Sequence, residues 1–164
     1  HISTGDILRN EISSKSELGC EAKGYMGKGE LVPDELVLAM ISKEMNKYRD
    51  ANGFIFDGFP RTLVQAQKFD EMLRTRNMPV SLVVSLDVSD DELISRLIKR
   101  GIESGRADDT DEVIRQRLNV YNKQTKPLLE YYKKRNVLKS VYGIGKIDVI
   151  FNEVCNLLES YITF

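Results

Sequence analysis

The sequence has 164 residues, of which 41% are hydrophobic and 30% charged, as expected for one soluble globular domain with a substantial core. A net charge of −1 excludes a strong overall attraction to nucleic acid or anionic membranes, and no apolar run approaches the about 20 residues of a membrane helix. Cys20 and Cys155 stand far apart and His1 is the one histidine, so we expect no disulfide framework, no zinc site and no Ser-His or Cys-His catalysis. This cysteine usage predicts a reducing, cytoplasmic location.

The first third of the sequence predicts helices separated by a glycine-containing turn. The stretch STGDILRNEI predicts a helix capped by Ser3 or Thr4, with Asp6 in its first turn, where the helix dipole favours a negative charge. Glycines at positions 24, 27 and 29 predict a turn region, and Pro33 suits the first position of the next helix. Apolar residues follow at helical spacing, namely Leu36, Val37, Met40, Ile41 and Met45.

Strand and helix patterns alternate over the rest of the chain. Residues 54–56 predict a short buried strand, residues 62–76 a helix, and the β-branched run 80–88 a strand buried on both faces. The next helix has Ser89 as its cap and Gly101 as its stop. The remaining segments are a polar loop at 103–112, a helical region at 111–132 broken or kinked at Pro127, a strand and turn at 136–146, and an amphipathic helix at 147–161.

Buried strands that alternate with helices predict an α/β fold, in which a doubly wound parallel sheet has helices on both faces and so forms three layers. Ligands of such folds bind at the carboxyl ends of the strands, and the stretch GFIFDGFPRT places Asp57 and Arg61 there. A carboxylate at a strand end can hold hydrated magnesium, although Asp-Gly is also a common turn pair. A guanidinium at a helix start suits bidentate phosphate binding, although a solvated surface arginine is the alternative. Pro60 fixes the turn, in either the trans or the cis form.

Four further arginines lie in the second half of the chain. Arg96 and Arg100 share one helical stripe at the edge of the core, Arg106 lies in the polar loop and Arg117 on the next helix. Together with Arg61 and the carboxylates at positions 57, 108 and 109, they suggest a polyanion clamp with metal partners. Ordinary solvated charge is the alternative, which charge counts alone leave open.

Polar side chains on two helices complete the candidate residues. Thr4 and Arg9 frame the first helix, where capping by itself accounts for a hydroxyl group. Gln65 lies one turn after Arg61 on the same helical face, where its amide can read a base edge or face water.

Six stretches carry a resemblance to a known family, in its order and spacing and over essentially the whole chain. They are STGDILR, GELVPDEL, FDGFPRTLVQA, RLIKRG, SGRADD and RLNVYNKQTKPLLEYY. The sequence with this ordered set resembles the adenylate kinases. The resemblance implies a nucleoside monophosphate kinase of the P-loop type that transfers the γ-phosphoryl group of ATP·Mg to AMP and yields two ADP.

The resemblance also implies an AMP site in the first part of the chain. Thr4 and Gln65 would read the adenine of AMP, and Arg9 and Arg61 would grip its phosphate. An AMP-binding insert would span residues 3–32, a short lid residues 101–111, and the remainder would be the core. The other residues implied at the AMP site are Glu30, Leu31, Val32, Gly58, Phe59, Pro60, Arg106 and Arg117.

For the phosphoryl donor, the resemblance implies that Arg96 and Arg100 contact ATP and that the backbone of Gly145 touches its adenine. Asp57 would hold magnesium through water, and Asp108 and Asp109 would help to close the lid. The arginines implied around the transferring phosphoryl group are Arg61, Arg96, Arg100, Arg106 and Arg117. The lid segment is short and lacks cysteines, so no structural zinc is expected.

Thr4 and Gln65 favour AMP as the acceptor, because related kinases that act on UMP or CMP tend to lack both residues. A pyrimidine or broad-specificity monophosphate kinase is the alternative. We expect ATP, AMP and ADP as the small-molecule partners, no nucleic acid or membrane partner, and a monomer.

One family feature does not occur in the sequence. The family begins with a strand and a phosphate loop of the form G-x-x-G-x-G-K-G-T, whereas the similar stretch GYMGKGE follows no strand and belongs to the AMP-site region. We therefore expect a chain truncated before its first residue, lacking the first strand, the loop and the first helix, and inactive alone. A non-catalytic nucleotide-binding relic is a further alternative, although it has no need for the four arginines at 96, 100, 106 and 117.

Overall fold

The computed structural model describes residues 1–106 and 109–161. Within them, helices alternate with short strands, as predicted. The strands are β1 (Ile2–Ser3), β2 (Phe56–Asp57), β3 (Val83–Asp87) and β4 (Leu138–Tyr142). The helices are α1 (Thr4–Ser13), α2 (Glu17–Met26), α3 (Asp34–Lys47), α4 (Leu63–Arg74), α5 (Asp90–Ser104), α6 (Asp111–Val120), α7 (Pro127–Lys134) and α8 (Ile147–Glu159). A π-helical turn, Tyr121–Thr125, links α6 to the segment before α7.

All strand pairs in the described residues are parallel, which confirms the prediction of an α/β fold with parallel strands. β1 pairs with β2, so that Ser3 lies beside Asp57. β3 pairs with β4 over five residue pairs, from Val83 with Leu138 to Asp87 with Tyr142. The two pairs are separate two-stranded sheets. Parallel pairing brings the carboxyl ends of β1 and β2 to one edge, where the candidate residues lie.

Short polar side chains determine where several helices begin. The hydroxyl of Ser3 accepts a hydrogen bond from the backbone N–H of Asp6 and caps α1. Thr62 caps α4 in the same way by accepting from the N–H of Gln65 at 3.1 Å. Such caps satisfy backbone donors that a helix start leaves unpaired, so the sequence signal for them is local.

Three local predictions around α2, α3 and α5 are wrong. Helix α2 continues to Met26, so Gly24 lies inside a helix, where the glycine pattern predicted a turn. Pro33 is the cap of α3 and not its first residue. Helix α5 ends at Gly105, where a φ of +63° favours glycine. Gly101 instead lies inside α5, where a Cβ would stand 2.8 Å from the carbonyl oxygen of Asp109.

Strands β2 and β3 are shorter and more exposed than predicted. Only Phe56 and Asp57 form β2, and Ile55 is 60% exposed, although its carbonyl accepts from the N–H of Ile2 at 2.8 Å. β3 begins at Val83, and Leu86 is 53% exposed.

The larger core cluster lies between the first strand pair and helices α1 to α4. It buries Ile2, Ile41 and Met45 almost completely. Phe69 of α4 packs edge-to-face against Phe59, with ring centroids 4.9 Å apart. A smaller cluster of Ala66, Leu128 and Tyr132 joins α4 to α7. Across the described residues, none of the helices has the length and apolar character needed to cross a membrane.

Helices α1 and α2 touch at Gly19, where a Cβ would stand 2.0 Å from the backbone oxygen of Glu11. We expect Gly19→Ala to lower the free energy of unfolding by about 2–3 kcal/mol, because the backbones must move apart. Gly24 lies in the same helix with no atom within 4 Å of its Cβ position. Gly24→Ala should therefore raise stability by about 0.5–1 kcal/mol through helix propensity. Urea denaturation measures both changes, and equal effects would contradict the packing argument.

Candidate functional site

The candidate site begins where β1 and β2 end side by side. The hydroxyl of Ser3 donates to Oδ2 of Asp57 at 3.2 Å. The hydroxyl of Thr4 donates to the carbonyl oxygens of Asp57 and Gly58 at 3.2 and 3.0 Å. Thr4 is only 3% exposed. Its contacts therefore join the start of α1 to the turn after β2. The interpretation of Thr4 as a helix cap did not predict these contacts.

The turn after β2 requires glycine at its first position. Gly58 has a φ of +69°, and a Cβ there would stand 2.9 Å from the Arg61 guanidinium and 3.1 Å from the Thr4 hydroxyl. The Phe59–Pro60 peptide bond is cis, one of the two forms that the sequence allowed. Phe59 is buried in the larger core cluster and attaches the turn to the core. The Arg61 side chain folds back over the turn toward the Gly58 carbonyl.

Arg61 is held by three hydrogen bonds. Its Nε donates to the carbonyl of Gly58 at 2.8 Å, and its backbone N–H donates to Oε1 of Gln65 at 2.7 Å. Its carbonyl accepts from the hydroxyl of Thr125, in the π-helical turn, at 2.8 Å. Sequence reasoning missed Thr125 because 64 residues separate it from Arg61.

The guanidinium of Arg61 forms no ion pair with any described residue. Burial lowers the pKa of Arg61 below its ordinary value, and the charges of Arg117 and Arg9 lower it further, against the opposing effect of Asp57. Three of the predicted arginines are therefore close enough to repel one another. A partly buried cation among other cations provides a site for an anion.

Gln65 is buried, with 2% of its surface exposed. Its Nε2 donates to Oδ1 of Asp34 at 2.9 Å, and its Oε1 accepts from Arg61. Oδ1 of Asp34 also accepts from the hydroxyl of Thr62 at 3.0 Å. The sequence analysis identified Gln65 but not Asp34, which lies 31 residues away in the chain.

The Asp109 carboxylate binds two of the predicted arginines, Arg100 and Arg117. Its side chain is fully buried, and its carboxylate receives two hydrogen bonds from Arg100, at 2.7 and 2.8 Å, and one from Arg117 at 3.0 Å. Burial opposes ionisation of Asp109, but the hydrogen bonds and charge of Arg100, together with Arg117 and Arg106, hold its pKa below the ordinary value. Asp108, predicted beside it, lies outside the described residues.

Arg9 of α1 and Arg106, which follows α5, both act on the Asp6 carboxylate. Arg9 pairs with Asp6 at 2.5 Å, and this hydrogen bond is the main cause of the lowered pKa of Asp6. The charge of Arg106 lowers the pKa of both Asp6 and Asp109. Arg106 is therefore within electrostatic range of both carboxylates.

Arg96 lies apart from these contacts. It pairs with Glu92 at 2.6 Å and donates to the carbonyl of Gly143 at 2.9 Å. Gly145 follows two residues later with a φ of +129°, and open space surrounds its Cβ position. Among the predicted donor-site residues, Arg96 thus belongs with the turn after β4, whereas Arg100 belongs with Asp109.

The segment predicted to lie along the acceptor nucleotide connects α2 to α3. Glu30 is exposed, Leu31 is half-buried and Val32 is buried in the larger core cluster. The preceding Gly29 has a φ of +72°, and its Cβ position lies 2.8 Å from the carbonyl of Val113 in α6. This close approach joins the predicted insert to the helix that carries Arg117.

The Asp57 carboxylate is suited to supply one of the ligands around a hydrated magnesium ion. Its carboxylate is exposed at the end of β2, and Oδ1 has no hydrogen-bond partner among the described residues. Within residues 1–106 and 109–161, no three His, Cys, Asp or Glu side chains form a group that could hold a metal ion. Magnesium is commonly bound by one or two carboxylates with waters and substrate phosphates, so Asp57 fits hydrated magnesium that accompanies a nucleotide.

Comparisons with known proteins identify the family of the chain. The family model described as adenylate kinase matches residues 1–137. An adenylate kinase of Bacteroides fragilis is 48% identical over 160 residues, which cover 98% of this chain and 85% of the relative. Adenylate kinases of Leptospira biflexa and Thermodesulfovibrio yellowstonii are 45% and 43% identical, and the alignments cover 93% and 96% of this chain and 82% and 86% of those relatives. The chain belongs to the adenylate kinase family.

Proposed function

We propose that the protein takes part in reversible phosphoryl transfer from ATP·Mg to AMP, which yields two ADP. The observation that carries this proposal is Arg61, a partly buried guanidinium without an ion pair among the described residues and close to Arg9 and Arg117. A phosphate group suits this position because a guanidinium binds two of its oxygens at once.

The proposed acceptor site lies around the turn after β2. We assign the adenine of AMP to Thr4 and Gln65, and its phosphate to Arg9 and Arg61, in an insert that spans residues 3–32. Contacts along the nucleotide are assigned to Glu30, Leu31, Val32, Gly58, Phe59 and Pro60. The hydrogen bonds that join Thr4 to Gly58 and Gln65 to Arg61 support this grouping.

The proposed donor site uses the lid side, residues 101–111, and the turn after β4. We assign charge neutralisation on the transferring phosphoryl group to Arg61, Arg96, Arg100, Arg106 and Arg117, and contacts with ATP to Arg96, Arg100 and the backbone of Gly145. Phosphoryl transfer depends on positioning and charge stabilisation more than on a nucleophile, so a set of arginines suffices without a histidine. Magnesium, held through water by Asp57, would neutralise the phosphates of ATP.

The 164 residues contain no G-x-x-G-x-G-K-G-T motif, whose backbone amides and lysine hold ATP phosphates in this family. We therefore propose that these residues alone bind AMP but form ADP slowly or not at all. The same observation favours a non-catalytic nucleotide-binding relic as the second candidate function. Arg106 and Arg117, for which a relic has no chemical use, favour the enzyme.

An assay of ADP formation from ATP·Mg tests the proposal, with AMP, UMP or CMP as acceptors and calorimetric titration of each monophosphate in parallel. We expect selective binding of AMP. We expect ADP formation only from a protein whose intact mass exceeds that of the 164 residues by a segment large enough to contain a phosphate loop. Rapid turnover by a sample whose mass equals that of the 164 residues would refute the inactivity of this chain. Equal use of UMP or CMP would favour the broad-specificity alternative.

We also propose a monomer in the cytoplasm. The far-separated Cys20 and Cys155, neither in a disulfide, agree with a reducing compartment. Sedimentation velocity tests the oligomeric state, and a species of twice the chain mass would contradict a monomer.

A further inference from the structure

We propose that Asp34 is a positioning residue that gives the acceptor site its selectivity for adenine, by fixing the orientation of the Gln65 amide. This inference rests on the proposed function. The single oxygen Oδ1 of Asp34 accepts from Gln65 Nε2 at 2.9 Å and from the Thr62 hydroxyl at 3.0 Å. Asp34 thus ties the start of α3 to the start of α4, across 28 to 31 residues of sequence.

Donor and acceptor chemistry allows only one orientation of the Gln65 amide. An ionised carboxylate can only accept hydrogen bonds, so Asp34 requires the NH2 group of Gln65 on its side. The backbone N–H of Arg61 can only donate, so it requires the oxygen of the same amide at 2.7 Å. The two contacts therefore agree, and an inverted amide would place like groups against each other at both ends.

The fixed amide retains one N–H and one oxygen lone pair for a ligand. Adenine presents an acceptor nitrogen and an amino donor on one edge, a pattern that a glutamine amide matches in one orientation. Uracil presents a carbonyl acceptor and an N–H donor in the reverse order along its edge. An amide held in one orientation can therefore distinguish the two bases, whereas an amide free to invert can bind either.

The test is binding of AMP and UMP to Asp34→Ser, measured by calorimetric titration. Serine is well tolerated at helix starts but is too short to reach Gln65, so the fold is expected to persist. Loss of a buried hydrogen bond to a charged group should raise the Kd of AMP about tenfold and change that of UMP by less than about threefold. Asp34→Asn retains Oδ1 and should restore most of the AMP affinity.

A double-mutant cycle separates action through Gln65 from a general effect on folding. In a Gln65→Leu background, Asp34→Ser should change the Kd of AMP no further, because the group that Asp34 positions is gone. The matched control is Glu35→Ser, since Glu35 is the next carboxylate on the helix, 85% exposed and only loosely paired with Lys68 at 3.4 Å. Equal losses for AMP and UMP, or additive effects of the two substitutions, would overturn the proposal.

Side-chain NMR keeps this inference separate from the proposed function. The Gln65 NH2 protons should exchange slowly with solvent in the parent chain and rapidly in Asp34→Ser. If the parent chain binds no monophosphate, the proposed function and the adenine selectivity both fail, while the exchange data still decide whether Asp34 holds Gln65. Unchanged exchange would overturn the positioning role, whatever the binding data show.

Discussion

Replacement of Arg61 by methionine is expected to weaken AMP binding about a hundredfold, since two charge-assisted hydrogen bonds to phosphate are lost. The same change should leave thermal stability equal or higher. Burial and the neighbouring charges of Arg117 and Arg9 lower the pKa of Arg61, so the folded state holds this charge less favourably than water does. Methionine fills much of the same space without the charge. Calorimetric titration with AMP and thermal unfolding measure the two effects on the same samples.

Arg115 provides the matched control for Arg61. It lies on α6, is 65% exposed and pairs with Asp111 at 2.9 Å. Arg115→Met should leave AMP binding unchanged, because an exposed cation with its own partner contributes little. A loss of stability in Arg61→Met with unchanged AMP affinity would show that Arg61 is structural, and the phosphate assignment would then be wrong.

Substitution of Asp109 by asparagine should lower the free energy of unfolding by about 2 kcal/mol, because the half-buried guanidinium groups of Arg100 and Arg117 lose the charged acceptor of their hydrogen bonds. The Asp109 side chain is fully buried, and Arg100 and Arg117 both donate to it. Asparagine retains one acceptor oxygen but turns an NH2 group toward the guanidinium groups. Urea denaturation at neutral pH measures the loss.

The stabilisation by Asp109 should depend on pH in a defined direction. Its folded-state pKa lies below the ordinary value of 3.8, so the unfolded chain takes up a proton first as the pH falls. The stability difference between the parent chain and Asp109→Asn should be constant above about pH 5 and should disappear as the pH falls through the lowered folded-state pKa. Urea titrations at several pH values between neutral and acid measure this difference.

Asp111 is the control for Asp109, two residues along the chain. It is 58% exposed, and its partner Arg115 is 65% exposed. Asp111→Asn should produce a much smaller change, because solvent screens exposed ion pairs. Similar losses at both positions would argue against a special function for the buried carboxylate.

Local chemistry explains most of what was predicted correctly. Ser3 caps its helix, and Asp57 and Arg61 stand on either side of a glycine turn after a strand. Each of these features depends on backbone groups within a few residues, so a short stretch of sequence contains the whole cause. The helix stop at Gly105 was misplaced for the opposite reason. Gly101 instead allows the backbone of Asp109 to pass close to α5, and no local pattern predicts this contact.

By itself, the sequence determined the alternation of strands and helices, the parallel pairing and the set of arginines, because periodicity, caps and residue type are written into short segments. Only the tertiary structure decided how these residues are connected. It placed Asp34 and Thr125 against Gln65 and Arg61, and it buried Asp109 between two arginines. These contacts join residues far apart in the chain, and they form because packing excludes water and makes an unpaired buried polar group costly.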